Sequence, residues 1–266
     1  MIRYFLVVFF LSLGSVMHAE ILKMAVTTSF ENSGLADVLL PEIQADLGIE
    51  VQLLVVGTGQ ALRLGEAGDV DAILVHSRGS EEAFVSDGFG THRREIMYND
   101  FVLVGPQSDA AEISEVTSAI TAVQKIEQAK VTYVSRGDNS GTHKAEMKIW
   151  HLANFDPEAF GVWYNAVGAG MGAALNTASG MNAYILSDRA SWLNFKNKGD
   201  LALLYSGDPA LFNQYAFLPV NPAIHPTARY GLAMRLEEWL TSEKAAKLIN
   251  GYMINGEKLF VFNAQD

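Results

Sequence analysis

The chain has 266 residues, contains no cysteine and carries a formal net charge of −11 at pH 7. This length allows one large domain or two smaller lobes, each with a substantial apolar core. The absence of thiols excludes disulfides, zinc-cysteine sites, thiol catalysis and a lipid anchor on cysteine. An acidic surface repels phosphate backbones, so nucleic acid is not an expected partner.

The first 19 residues have the pattern of a cleavable secretion signal. Residues 1–3 form a minimal basic segment, residues 4–13 are apolar but too short to span a bilayer, and residues 15–19 offer a cleavage region. Met17 is larger than the residue usually found two before such a site. We therefore expect a signal peptide at 1–19, a mature start at Glu20, and a soluble periplasmic protein that is not a lipoprotein.

Apolar runs typical of strands alternate with helical patterns, which favours βαβ units and parallel sheets. The predicted strands are Leu22 to Thr27, Val51 to Val56, Ala72 to Val75, Phe101 to Val104, Val131 to Val134, Ala183 to Leu186, Leu201 to Tyr205 and Tyr215 to Val220. The predicted helices include Leu35 to Leu47, Ala61 to Gly65, Lys144 to Leu152, Leu232 to Leu240 and Glu243 to Met253. Two extended segments, 98–106 and 213–222, have the punctuation expected of a two-strand hinge between lobes.

The most informative stretch is residues 134–143, where an apolar strand enters a glycine-bracketed turn rich in hydroxyls and then opens a helix. Helix N-termini offer free N–H donors and partial positive charge, which suit a small tetrahedral oxyanion. Arg136 would add a full charge and a planar fork of donors. We expect Asp138 to orient that guanidinium, and the alternative for Ser140 is a simple helix cap.

Two further turns between a strand and a helix carry hydroxyls at their tips, one at residues 27–29 and one at residues 57–60. Ligands of open parallel sheets bind beyond the carboxyl ends of the strands, so these turns can converge on one cleft. The second turn is not a dinucleotide fingerprint, because Leu62 stands where a third glycine is needed. The glycine-rich segment 168–175 fits either close approach to a ligand or tight helix packing.

The ordered set of these motifs resembles the tungstate-binding proteins of ABC importers. The set comprises Thr27 to Ser29, Val56 to Leu62, Gly68 to His76, Met97 to Phe101, Ser135 to His143, Gly170 to Gly172 and Ala183 to Arg189. The resemblance implies an α/β, two-lobed type II periplasmic-binding-protein fold with two hinge crossings. With the hinge segments, it gives lobe 1 at 20–101 and 217–266 and lobe 2 at 102–216.

The resemblance also implies one tungstate ion enclosed between the lobes, and the donor chemistry also fits molybdate. The implied ligand-binding residues are Thr28, Ser29, Thr58, Arg136, Ser140, Gly141 and Thr142, with Gly59 and Gly172 as additional candidates. No cofactor and no cation site are expected, and the protein would be a monomer without enzymatic activity. Its partners would be the permease and ATPase subunits of an importer. Val26, Ile185 and Ser187 depart from the family pattern, where threonine is common, and bear on fine selectivity.

Two alternatives stay open. A phosphate- or sulfate-binding protein would use the same donors, but protonated phosphate needs a carboxylate acceptor, which Asp69 or Asp71 would supply on entering the cleft. A secreted hydrolase using Ser140, His143 and Asp138 is more distant, because the chain has no nucleophile elbow. The six histidines lack metal-ligand spacing and are expected at the surface or as caps.

Overall fold

The computed structural model describes residues 20–264, so the predicted signal peptide lies outside the described residues. The strands are β1 Glu20–Thr27, β2 Ile49–Val56, β3 Ala72–Val75, β4 Arg94–Pro106, β5 Tyr133–Ser135, β6 Tyr164–Ala166, β7 Tyr184–Asp188, β8 Leu201–Tyr205, β9 Phe212–Pro219, β10 Met253–Ile254, β11 Glu257–Lys258 and β12 Val261–Phe262. The α-helices are α1 Thr28–Ser33, α2 Leu35–Leu47, α3 Thr58–Ala67, α4 Arg78–Ser86, α5 Ala119–Ala129, α6 Gly141–Leu152, α7 Met171–Met181, α8 Arg189–Asn194, α9 Tyr230–Leu240 and α10 Glu243–Gly251.

A continuous path of strands runs in the order β2-β1-β3-β9-β4-β7-β5-β6, and β8 and β12 pair with β4 outside that path. β1 is parallel to β2 and β3, and β5 is parallel to β6 and β7. The central strands β9 and β4 are antiparallel to each other and to their outer neighbours. The prediction of parallel sheets is therefore confirmed for the two outer groups and is wrong for the central strands.

The central strands coincide with the two predicted crossing segments. The first part of β4, Arg94 to Asp100, pairs with β9, and the part from Phe101 onward pairs with β7. The chain thus passes from one parallel group to the other where β4 changes its partner. The predicted strand began at Phe101 because the polar residues before it hide the strand pattern, whereas backbone pairing with β9 extends β4 back to Arg94.

Apolar clusters cover both faces of the sheet. The largest cluster joins β1, β3 and β9 to α2, α7, α9 and α10, and a second one surrounds the buried Trp150 and Tyr133. The C-terminal helices α9 and α10 pack against α2. Helix α10 stops at Gly251 instead of Met253, because Met253 pairs with Lys258 in a hairpin that turns at Asn255 and Gly256, both with positive φ.

Several helices begin earlier than predicted, and this moves hydroxyl side chains into their first turns. Helix α6 begins at Gly141, because Ser140 caps it by accepting from the His143 N–H over 3.1 Å. Helix α3 begins at Thr58. Helix α1 was not predicted, and Thr27 caps it by accepting from the Phe30 N–H. Within residues 20–264, none of the helices has both the length and the apolar character needed to cross a membrane.

Candidate oxyanion site

Four helix N-termini meet at the carboxyl ends of the parallel strands. Helices α1 and α3 follow β1 and β2 directly, and α6 and α7 follow β5 and β6 through short turns. A Cβ added to Gly170 would lie 3.7 Å from Thr28 Cγ2, so the start of α7 lies beside α1. A Cβ added to Gly57 would lie 3.9 Å from the Ser140 Cα, so α3 and α6 start side by side. Partial positive charge is thereby concentrated between the two parallel groups.

Two hydrogen bonds join the parallel groups across this region. The Gly141 N–H donates to Thr58 Oγ1 over 3.0 Å, and the Gly59 N–H donates to the Asn139 carbonyl over 2.9 Å. The amides of Gly59 and Gly141 therefore donate within the protein, and the part of these two residues in ligand binding stays a prediction. A Cβ on Gly59 would lie 2.0 Å from Asn139 Nδ2, which accounts for glycine at that position.

Arg136 lies at the centre of the candidate site, and only 2% of its surface is exposed. Its Nη2 donates to Asp138 Oδ2 over 2.6 Å, and its Nε donates to the Ala169 carbonyl over 3.2 Å. The other Asp138 oxygen accepts from the Ser140 N–H over 3.2 Å. The prediction that Asp138 orients the guanidinium is confirmed.

Several predicted site residues carry buried hydroxyls that make no hydrogen bond within the described chain. These are Thr28 Oγ1, Ser29 Oγ and Thr142 Oγ1. Buried polar groups are nearly always paired, so a run of unpaired donors in one place indicates a ligand or water site. Ser140 and Thr58 already accept backbone N–H groups, yet each hydroxyl keeps a hydrogen that it can donate.

Glu146 and its hydrogen-bond donors form a buried polar cluster beside the turn that carries Arg136. Glu146 accepts hydrogen bonds from Ser135 Oγ at 2.9 Å, from the Tyr164 hydroxyl at 2.7 Å and from Trp150 Nε1 at 3.2 Å. Burial, with the nearby Glu146 charge, raises the pKa of the Tyr164 hydroxyl, which keeps it a donor. This carboxylate is fully paired, so it fixes the turn and is not available to a ligand.

The arrangement required for a serine hydrolase does not form. Ser140 meets His143 only through the backbone N–H, while the His143 ring nitrogen Nδ1 lies 3.2 Å from Ser135 Oγ. Asp138 is paired with Arg136 instead of a histidine. Ser135 is fully buried, so the contact of its hydroxyl with His143 does not offer a nucleophile to substrate.

Asp69 and Asp71 lie at the opposite edge of the sheet from the candidate site, because both precede β3 and the site follows the strands. Asp69 is exposed. Asp71 accepts from the Lys23 N–H over 2.8 Å and from the Arg229 N–H over 2.7 Å, so both of its oxygens are used. Neither carboxylate enters the cleft.

His76 lies buried beside the candidate site, so its expected position at the surface or as a cap is wrong. It follows β3 and packs against Tyr215 with ring centroids 4.7 Å apart. An added Cβ on Gly141 would lie 2.7 Å from its ring. Burial, reinforced by Arg136, lowers the pKa of His76 to about 3, so the ring is neutral. The available signal was its position directly after a parallel strand.

Gly172 is the second residue of α7 and half-buried, and its part in binding stays a prediction. Arg189 and Asp188 both make contacts within the chain. Arg189 donates to both Asp100 oxygens, over 2.7 and 2.6 Å, while Asp188 caps α8 by accepting from the Ser191 N–H. The part of the chain covered by the structure contains no cluster of three His, Asp or Glu side chains that could hold a metal ion.

Residues 17–244 match the model of the PBP superfamily domain. The chain belongs to this superfamily. The expected α/β periplasmic-binding-protein fold is confirmed by its solved relatives. The tungstate ABC transporter structure from Geobacter sulfurreducens superimposes with a TM-score of 0.81 at 45% identity, covering 88% of this chain and 99% of that one. The tungstate-binding protein TupA from Desulfovibrio alaskensis G20 gives a TM-score of 0.80 at 41% identity, covering 93% and 100%.

The chain is also similar to the tungstate-binding protein TupA of Peptoclostridium acidaminophilum. The two are 43% identical over 245 residues, which cover 91% of this chain and 85% of that protein. The tungstate-binding protein TupA of Campylobacter jejuni subsp. jejuni is 33% identical over 241 residues, covering 89% of each.

Proposed function

We propose that this protein captures tungstate, and molybdate to a measurable degree, for an ABC importer. The observation that carries the proposal is the set of buried, unpaired hydroxyls of Thr28, Ser29 and Thr142 beside the buried Arg136. Tungstate and molybdate are fully deprotonated near neutral pH, so a site of donors alone satisfies every oxygen. A buried donor left without a partner costs about 1 to 3 kcal/mol, which favours an anion that accepts from all of them.

The donor set argues against phosphate as the preferred ligand. Phosphate keeps a proton near neutral pH, and that proton would face Arg136 or a hydroxyl already donating. The predicted acceptors, Asp69 and Asp71, lie at the other edge of the sheet. The names of the relatives, with identities of 41–45% over most of the chain, favour tungstate over sulfate or phosphate.

The proposed mechanism is closure of two lobes over the ion. Lobe 1 comprises residues 20–101 and 217–266, and lobe 2 comprises 102–216, with the crossings in β4 and β9. The change of partner within β4 supports this division. The bonds from Gly141 to Thr58 and from Gly59 to Asn139 would then join the lobes in the closed state.

In this role the protein is a periplasmic monomer that delivers the ion to permease and ATPase subunits. Its role is binding and release, with no reaction on the ligand. The relatives named as a tungstate-binding protein and a tungstate ABC transporter support permease and ATPase subunits as the partners.

Calorimetric titration with tungstate, molybdate, sulfate and phosphate tests the proposal. We expect one tungstate per chain, and the Thr142→Val variant should bind it about tenfold more weakly through loss of one hydrogen bond. Thr117→Val, which removes an exposed hydroxyl, is the matched control. Failure of the wild-type protein to bind tungstate, or displacement of tungstate by an equal concentration of phosphate, would overturn the proposal.

A further inference from the structure

Asp188 is a buried carboxyl beside the candidate site whose hydrogen bonding is incomplete. It ends β7 and is fully buried. Its Oδ1 accepts from the Ser191 N–H over 2.8 Å, and its Oδ2 has no hydrogen-bond partner in the described chain. An N-cap needs only one oxygen. The second oxygen is therefore an unexplained buried acceptor of the kind that marks a functional position.

The free oxygen lies next to a residue of the anion site. Helix α8, which Asp188 caps, packs against α1, and Ser29 on α1 also has an unpaired buried hydroxyl. Burial raises the pKa of the Asp188 carboxyl, and it outweighs Ser191, the Ser29 hydroxyl and the Arg136 charge, which all favour the ionised form. The two orphan groups are thus neighbours at the edge of the proposed ligand cavity.

The titratable and charged groups that surround Asp188 lie on several neighbouring elements. Arg136, in the turn after β5, is the buried cation, and it is already paired with Asp138 at 2.6 Å. On β4, Asp100 is paired with Arg189. His76 after β3 is neutral, and Tyr215 on β9 stays protonated because burial and the Asp188 charge raise its pKa. Glu31 on α1 is exposed.

The net charge of the buried side chains at the site is therefore unfavourable for binding a dianion if Asp188 is ionised. Arg136 contributes one positive charge, Asp138 cancels it, and an ionised Asp188 would leave a net negative site before any ligand enters. Two more negative charges in a poorly solvated cavity would strongly disfavour that carboxylate. Neutralising Asp188 removes this repulsion.

We propose that Asp188 is a proton-linked residue of the anion site, which takes up a proton from solvent when the dianion binds. Its Oδ2–H then donates to Ser29 Oγ, and the Ser29 hydroxyl is turned to donate to the anion. With Asp188 ionised, the same hydroxyl would donate to the carboxylate instead. This inference rests on the proposed function and adds a role for a residue outside the predicted ligand shell.

Calorimetry on the whole protein tests this, with sodium tungstate as the probe between about pH 6 and about pH 9. Titrations in buffers of different ionisation enthalpy give the number of protons taken up. We expect uptake of up to one proton per ion, and a Kd that rises by up to about tenfold per pH unit where free Asp188 is ionised. Asp188→Asn, which keeps the cap acceptor and imitates the neutral form, should bind with no proton uptake and a flat pH profile.

Asp156→Asn is the matched control, because Asp156 is an exposed cap whose oxygen accepts from the Glu158 N–H and should leave uptake unchanged. A wild-type protein that binds tungstate with no uptake and a constant Kd would overturn the role of Asp188 and leave the proposed function standing. Undiminished uptake in Asp188→Asn would also overturn it and point to His76. If Asp188→Asn does not fold, the wild-type proton count and pH profile decide alone. No tungstate binding at any pH would instead contradict the proposed function.

Discussion

The Gly141 N–H donates to Thr58 Oγ1 over 3.0 Å, and each of the two is the first residue of its helix. The bond therefore fastens the N-terminus of α6 to that of α3. Because Thr58 accepts with its oxygen, its hydroxyl hydrogen is left to point elsewhere. One side chain can thus hold the two halves together and donate to an anion between them.

Thr58→Val should weaken tungstate binding by about 1 to 2 kcal/mol, because it removes both a donor to the anion and the acceptor for Gly141. Thr58→Ser keeps the hydroxyl and should bind within a few-fold of wild type. Isothermal titration of both variants measures the difference. Wild-type affinity in Thr58→Val would remove this hydroxyl from the site.

Arg136→Lys should weaken binding by about 1.5 to 3 kcal/mol with the fold intact, because lysine keeps the charge but loses the fork that engages Asp138 and Ala169 together. Calorimetry gives the affinity, and thermal unfolding reports the fold. Arg235→Lys, which alters a half-exposed guanidinium paired with Glu20, is the control. Equal affinities in the wild type and Arg136→Lys would show that Arg136 lies outside the ligand shell.

Tungstate should reduce the radius of gyration in small-angle scattering. The site residues divide between the proposed lobes, with Thr28 and Thr58 on one and Arg136 and Thr142 on the other. Closing on the ion would bring them together through bending in β4 and β9. A radius that stays the same at saturating tungstate would indicate a rigid site.

Phosphate should bind at least about a hundredfold more weakly than tungstate, a difference of roughly 2.7 kcal/mol. Within the predicted ligand shell, its proton would face a donor with no acceptor opposite. Competition at equal concentrations measures the ratio, and sulfate, which carries no proton, separates the effect of protonation from that of size. Efficient displacement by phosphate would mean that a carboxyl group beside the site accepts the ligand's proton.

Stability should depend on pH through His76. Its pKa is about 3 in the folded protein, below that of an unfolded histidine, so the unfolded chain binds more protons between about pH 6.5 and about pH 3. This contribution to the free energy of unfolding is therefore lost as the pH falls, by at most about 1.4 kcal/mol per unit.

The comparison that isolates this effect is between the wild type and His76→Gln, because buried acids such as Asp188 and Glu81 titrate with the opposite sign in both proteins. Denaturant unfolding at several pH values should show the wild type losing stability relative to the variant as the solution becomes more acidic. A constant difference over that range would show that His76 is not protected from protonation.

The fold class could be predicted because local patterns determine it. The alternation of apolar strands and helices identified β1, β3 and α2 nearly to the residue. The antiparallel centre could not be foreseen, because the direction of β4 and β9 relative to their neighbours depends on where the chain crosses between the two groups. Helix starts were misjudged at Thr58 and Gly141, where a side-chain hydrogen bond joins the first turns of two helices that are distant in sequence.

Within the site, the hydroxyls and Arg136 could be predicted because they stand in strand-to-helix turns. The hydrogen bonds that the Gly59 and Gly141 amides donate could not be predicted, because their acceptors, Asn139 and Thr58, are distant in the sequence. His76 was misjudged for a similar reason. A single polar residue after an apolar strand looks the same whether it faces solvent or, as here, lies buried beside Arg136.

Arg136 is held by Asp138 and by the Ala169 carbonyl through hydrogen bonds within the protein itself. A free arginine side chain has about 2 kcal/mol of rotamer entropy to lose when it is immobilised. In this protein the Arg136 side chain loses that entropy on folding, so anion binding does not have to cost it again. High affinity would then come mainly from slow dissociation of the anion. The dissociation rate would be limited by how often the hydrogen bond between Gly141 and Thr58 breaks.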